Sequence, residues 1–178
     1  VVMTITTDES GRASTGNDAL PYGTYEVRES ATNESMLLTW QGETVQVRQN
    51  GHSVAITAVN DVERGGLSVE KQDSITGSTP QGDADFEGIT FQIINNSRNP
   101  VMVEGQKYQP GEVVKILVTD SEGKASTADD LLPYGEYILH ESSTNESMLL
   151  TAPDQTVLVE DDGIIYEFVM ADEVVWGG

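Results

Sequence analysis

The chain has 178 residues, no cysteine, and 9 Lys+Arg against 30 Asp+Glu, a formal net charge of −21. So acidic a chain repels nucleic acid and anionic membranes, so neither is an expected partner, and it has no thiol chemistry or disulfide framework. Its 17 glycines and 6 prolines suit an all-β protein with frequent turns, and no apolar run reaches the roughly 18 residues of a membrane span.

From the N-terminus, "TDESGRA" (7–13) reads as a hairpin turn, and "LPYGTYEVRESATNESMLLT" begins at Leu20. Almost the same twenty residues return as "LPYGEYILHESSTNESMLLT" from Leu132. Setting 1–66 beneath 113–178 without a gap leaves nearly half of the positions identical, including "AST" at Ala13 and Ala125 and Gly-Gly pairs opening at Gly65 and Gly177. Residues 67–178 therefore read as one complete module, and 1–66 as the C-terminal part of an incomplete one. The first copy lacks the equivalent of 67–112. Its residues are expected to be poorly ordered alone, or completed by strands from elsewhere. With no signal peptide and a Gly-Gly closing each copy, the expectation is a piece of a tandem array that continues in both directions.

Within the second copy the hydrophobic period is two. "GGLSVEK" puts Leu67, Val69 and Lys71 on one face, and "ITFQII" does the same with Ile89, Phe91 and Ile93. "YGEYILHE" aligns Tyr137, Leu139 and Glu141, and "YEFVMAD" aligns Phe168, Met170 and Asp172. Turn chemistry separates these runs at "ITGSTPQGD", "NNSRNP", "YQPGE", "DSEGK" and "DDG". No segment has the period of a long amphipathic helix. The pattern predicts a β-sandwich of about seven strands.

Three of the apolar faces end in an ionisable residue: Lys71, Glu141 and Asp172. Buried charge is costly unless paired or neutralised. If the three converge, desolvation is expected to raise both carboxyl pKa values and lower that of the lysine. A neutral amine beside a protonated carboxylic acid is a nucleophile beside a proton donor.

The order "GGLSVEKQD…TGSTPQGD…FEGITFQI", "LPYGEYILHE" and "EFVMAD" resembles the Cna-B type repeat of Gram-positive surface adhesins and SpaA-type pilins. The resemblance spans 67–178 and, through the repeat, 1–66. It implies Ig-like, prealbumin-like β-sandwich modules in tandem, with a spontaneous isopeptide bond between first and last strands. Carried over, Lys71 is the amine, Asp172 the acceptor, and Glu141 the proton shuttle that also hydrogen-bonds the oxyanion. Glu29 and Asn60 are the first-module equivalents. The chain departs from the family in "SSTNESMLL" after Glu141, where an Ala-Pro-x-Gly-Tyr-like stretch is common, and in using Asp rather than the commoner Asn as acceptor. An unreacted Lys71–Asp172 salt bridge is the alternative reading of the same residues. The lysines, Lys71, Lys107, Lys115 and Lys124, all lie in the second copy, so none is available to Asn60 within its own module.

Other constellations carry less. His52 and His140 occupy unmatched positions of the two copies, and "TDESGRA" and "TDSEGKA" lack the ligand spacing of a calcium loop. No metal or cofactor is expected, and "EDDG" at Glu160–Gly163 reads as a solvated turn. Trp40 and Trp176 are not repeated either, and Trp176 is expected to pack at a module junction. The function read from the sequence is a structural stalk or spacer in a cell-surface adhesin or pilus-like protein, extracellular and anchored to the cell wall. Its partners are adjacent modules of the same chain, with any host ligand engaged through other domains. The alternative is a ligand-binding adhesin module that recognises a host glycan or protein. No nucleophile–His–acid set supports an ordinary enzyme.

Overall fold

A computed structural model describes residues 1–177, so Gly178, the last residue of the second Gly-Gly pair, lies outside the described residues. The chain divides into two compact units, Val1–Asp61 and the residues from Val62 onward. Strands are the regular structure of both, and no helix occurs among the described residues.

Unit 1 holds one antiparallel pair, β1 (Gly23–Val27) and β2 (Glu43–Val47), with Gly23 opposite Val47 and Tyr25 opposite Val45. Val45 is its one buried apolar side chain among the described residues. The Tyr25 hydroxyl donates to the Pro21 carbonyl at 2.8 Å, closing the turn that feeds β1.

Unit 2 begins with β3 (Arg64–Asp73), β4 (Thr90–Asn95) and the small hairpin of β5 (Val101–Val103) and β6 (Gln106–Tyr108). It continues through β7 (Val113–Val118), β8 (Lys124–Ser126), β9 (Leu132–Pro133) and β10 (Gly135–Ser143). It closes with β11 (Met148–Leu149), β12 (Gln155–Val159) and β13 (Ile165–Val174). One sheet has the order β12-β10-β4-β7. The other has the order β11-β13-β3-β8, with β9 also pairing to β3. The first and last long strands, β3 and β13, run parallel, with Phe168 opposite Val69 and Met170 opposite Lys71.

The two sheets share one apolar core. Leu67, Val69 and Met170 from one sheet and Ile89, Phe91, Ile93, Tyr137, Leu139, Val157 and Val159 from the other side are all buried in it. Full burial stabilises each such side chain by roughly 1.5–3 kcal/mol, so the period-two pattern is what commits the strands to these faces. Tyr137 repeats the Tyr25 device, its hydroxyl donating to the Pro133 carbonyl at 2.8 Å.

The fold is the expected all-β, prealbumin-like sandwich, with two differences. The expectation of about seven strands counted only the longer runs, and missed two- and three-residue strands such as β9 and β11. The "TDSEGKA" turn is not a hairpin turn. Asp120 N–H donates to the Lys124 carbonyl at 2.9 Å, but β7 pairs with β4 and β8 with β3, so the turn passes the chain between sheets. In the first copy the same turn closes from Asp8 N–H to the Arg12 carbonyl at 2.9 Å, with no strand on either side.

Candidate functional site

Three strands of unit 2 bring Lys71, Glu141 and Asp172 to one point inside the core. Lys71 Nζ lies 2.7 Å from Glu141 Oε2 and 2.7 Å from Asp172 Oδ2, and all three side chains are 0% exposed. Lys71 and Asp172 come from the parallel pair, two residues apart in register on the shared inward face. Glu141 comes from the opposite sheet, where it faces Phe91. Immediately after it the register of β10 against β4 slips, with Ser143 opposite Thr90. A bulge of this kind twists a strand and re-aims its side chains.

Asp172 is held from its far side by main chain. Its Oδ1 accepts the N–H of Thr151 at 2.9 Å, the N–H of Ala152 at 2.7 Å and the Thr151 hydroxyl at 3.2 Å. These donors lie just beyond the repeated "TNESMLL". They were invisible at the level of residue types, because backbone amides do the holding. Glu141 Oε2 accepts from the Lys71 amino group at 2.7 Å, while Asp172 Oδ1 sits on the two amides.

The electrostatics separate the two carboxyls. Burial pushes Glu141 up to about 7, reinforced by the neighbouring Asp172 carboxyl and opposed by Lys71. Burial also presses Asp172 upward, but Glu141, Lys71 and the Thr151 amide together hold it below the ordinary aspartate value. The expectation that both carboxyls rise is thus corrected for Asp172, because donors crowd it on both sides. Glu141 Oε1 is buried with no hydrogen-bond partner. An anionic oxygen there would be costly, which fits a carboxyl that keeps its proton. The arrangement sets a carboxyl of raised pKa, a lysine amino group and a carboxyl held by two amides side by side, all shielded from water.

In unit 1, Asn60 Nδ2 donates to Glu29 Oε2 at 2.6 Å, and Asn60 Oδ1 accepts the N–H of Thr39 at 3.0 Å and of Trp40 at 2.9 Å. Both side chains are half-buried, and no lysine lies in this unit. The remaining sequence candidates stay apart from these sites. His140 Nδ1 lies 2.7 Å from Asp154 Oδ1 on the surface, and His52 is exposed. Trp176, near the end of the described residues, is 65% exposed. Among the described residues no group of three or more His, Asp or Glu side chains is arranged to hold a metal ion.

The family model described as "SpaA: Prealbumin-like fold domain" matches residues 1–62 and 65–174. Among solved structures, the Bacillus anthracis TIE protein superposes with a TM-score of 0.66 at 22% identity. That match covers 96% of this chain and 28% of the Bacillus chain, so the present sequence spans under a third of it. The minor pilin GBS52 of Streptococcus agalactiae matches 98% of this chain and 68% of its own, at 22% identity and a TM-score of 0.46. The pilus 2b backbone protein of group B streptococcus matches 92% of this chain and 47% of its own, at 16% identity and a TM-score of 0.47. No curated protein sequence matches. With both copies matched by the family model, over a fold of the expected kind, the chain belongs to the SpaA prealbumin-like fold domain family.

Proposed function

We propose that the chain is a structural stalk or spacer in a Gram-positive cell-surface adhesin or pilus-like protein, extracellular and anchored to the cell wall. In this reading 67–178 is a complete module locked by a Lys71–Asp172 isopeptide bond, and 1–66 is the C-terminal part of another. Adjacent modules of the same chain are its partners. Membership of the family and the repeated sequence support the surface placement and the tandem arrangement. The observation that carries the covalent reading is Lys71 Nζ, wholly buried, 2.7 Å from both Glu141 and Asp172.

The chemistry balances without a co-reactant. A proton passed from the Lys71 amino group to Asp172 gives an amine beside a carboxylic acid, with no proton gained or lost by the cluster. Lys71 Nζ attacks Asp172 Cγ, and the oxyanion develops on Oδ1 against the Thr151 and Ala152 amides. Glu141 gives its proton to the departing Oδ2, which leaves as water, and takes one back from the amine as the Cγ–Oδ2 bond breaks. The product is one amide bond, and Glu141 ends as it began. The step happens once per molecule, so the protein is not an enzyme in the turnover sense. A bond tying β3 to β13 would carry a pulling force through covalent chemistry instead of the sheet.

Intact mass under denaturing conditions tests the reading. The expected mass is that of the sequence less one water, with Lys71 and Asp172 joined in a single branched peptide after digestion. An unchanged mass would leave the two residues as an ion pair and reduce the function to a plain spacer.

A further inference from the structure

The two amides that hold Asp172 come from a segment whose own path has to be fixed. Between β10 and β12 the chain runs mostly outside regular strand, with two residues in β11. This is also the stretch, "SSTNESMLL", where the sequence departs from the family pattern. It is nonetheless well tied. Asn145 Oδ1 accepts the Ser147 N–H at 3.0 Å and the Ser147 hydroxyl at 2.8 Å. Asn favours such a turn because its side chain reaches its own backbone two residues on. Asn33 and Ser35 close the same turn in unit 1, at 3.0 and 2.7 Å. In each copy the first amide on the acceptor side chain follows that Asn at the same distance along the chain, Thr39 after Asn33 and Thr151 after Asn145.

The other end of the Asn145 side chain crosses to the approach to β4. Its Nδ2 lies 3.0 Å from the Asp85 carbonyl, 3.0 Å from Asp85 Oδ1 and 3.1 Å from the Glu87 carbonyl, and its two hydrogens serve those acceptors. Asp85 N–H donates in return to the Ser147 hydroxyl at 3.3 Å. The 85–89 segment is a firm mooring. Phe86 is buried in the core, and the buried Thr119 hydroxyl donates to the Phe86 carbonyl and accepts the Ile89 N–H at 2.9 Å. Beyond the turn, Val175 N–H donates to the Ser147 carbonyl at 2.9 Å, and Met148 and Leu149 pair with Val174 and Glu173. Thr151 and Ala152 follow directly, at Asp172.

We propose that Asn145 is a positioning residue for the Lys71–Asp172 bond, which pins the turn before β11 to Asp85 and Glu87 and so holds the Thr151 and Ala152 amides on Asp172 Oδ1. This rests on the covalent reading above. The amides assist only at hydrogen-bond distance from the oxygen that takes up charge as Lys71 Nζ attacks Asp172 Cγ. A misplacement of about 1 Å at a reacting centre can cost about a hundredfold in rate. Asn145 hydrogen-bonds to Asp85, Glu87 and Ser147 and to none of the three reacting side chains, so it acts through the main chain it places.

The test reads cross-linking and the Asp172 carboxyl separately, in the full chain. Chain refolded from denaturant is quenched at intervals, and intact mass follows the loss of one water. Asn145→Ala should cross-link about tenfold or more slowly than the parent. Asn145→Asp keeps both bonds from Ser147 but cannot donate to Asp85 or Glu87, and should be similarly slow. Cross-linking of Asn145→Asp at the parental rate would overturn the role of the Asp85 contact. In the Glu141→Gln background, where no bond is expected, carbon-13 NMR should show the Asp172 pKa raised by Asn145→Ala, because amides that drift away no longer favour the carboxylate. A residue that merely stabilised the fold would lower the unfolding midpoint and leave both the rate and the Asp172 pKa unchanged, and that result overturns the proposal. A parent that loses no water overturns the covalent reading. The Asp172 pKa then judges the placement of the amides alone, which stands if Asn145→Ala raises it and falls if it does not.

Discussion

Lys71 and Asp172 meet at 2.7 Å on neighbouring parallel strands that are the first and last long strands of their unit. A covalent bond here would close nearly the whole unit into a loop. Such a bond restrains the unfolded chain as a disulfide does, by about 4–5 kcal/mol for a loop of roughly 100 residues.

Glu141→Gln is the cleanest way to remove the bond while keeping the packing. Gln has almost the same shape and still accepts from Lys71, but it cannot take up and return a proton. The variant is expected to fold, to keep the mass of its sequence, and to melt about 10 °C or more below the parent. Mass spectrometry and calorimetry on the same sample check both halves. Cross-linking at the parental rate would remove Glu141 from the role of shuttle.

Asp172→Ala should cost more than Glu141→Gln. It leaves the Lys71 ammonium buried against Glu141 alone and strips the Thr151 and Ala152 amides of their acceptor. Breaking a buried pair from one side typically destabilises by about 3–5 kcal/mol. Chemical denaturation should therefore place its midpoint below that of the equally uncross-linked Glu141→Gln protein. Equal midpoints would mean that the buried cluster contributes nothing without its bond.

The rate of bond formation should depend on pH through Glu141. Its folded pKa is raised from 4.5 to about 7, so the proton it must relay is present below that value and lost above it. Chain refolded from denaturant should cross-link at a constant rate from about pH 5 to 6.5, then about tenfold more slowly for each further pH unit above 7. The same shift makes the unreacted fold most stable below pH 4.5 as far as Glu141 is concerned, with that contribution fading as pH rises through 7. Asp172 acts in the opposite sense, since its lowered pKa adds stability above the ordinary aspartate value that is lost as pH falls through the folded one. Quenched mass spectra across the pH series check the rate. A rate that climbs steadily through pH 8 would contradict the role of acid.

Much of this was legible because strands alternate. Lys71, Glu141 and Asp172 stood out as charges that close apolar faces, and the period of two fixed which way they point. The amides of Thr151 and Ala152 left no such mark, because a backbone donor is specified by where the chain runs and not by its side chain. The lowered pKa of Asp172 follows from those same donors and was hidden with them. Strand formation at β13 was equally non-local. Its counterpart 53–61 carries Ile56 and Asn60 at equivalent positions, yet forms no strand. Alternation tells which face a strand will bury only once a partner strand exists.

The Gly-Gly that opens unit 2 gives a last prediction, on packing alone. Gly66 N–H donates to the Ile164 carbonyl at 2.8 Å as β3 enters beside β13. On its other side Leu67 and Thr127 exchange hydrogen bonds, Leu67 N–H to the Thr127 hydroxyl at 2.9 Å and Thr127 N–H to the Leu67 carbonyl at 2.8 Å. A Cβ on Gly66 would overlap the Ala128 carbonyl oxygen and lie 2.7 Å from the Thr127 hydroxyl. Backbone and a hydroxyl already committed to two bonds cannot yield as a flexible side chain could. Overpacking of this kind costs about 1–3 kcal/mol. Gly66→Ala should therefore lower the unfolding midpoint by that amount in the Glu141→Gln background, where no bond masks the loss. In the parent background the variant should still lose its one water, since Lys71 lies five residues further along β3 and keeps its register with Met170. A Gly66→Ala protein as stable as its Glu141→Gln parent would show that Thr127 and Ala128 move aside freely. The close approach of β3 to that loop would then not explain the glycine.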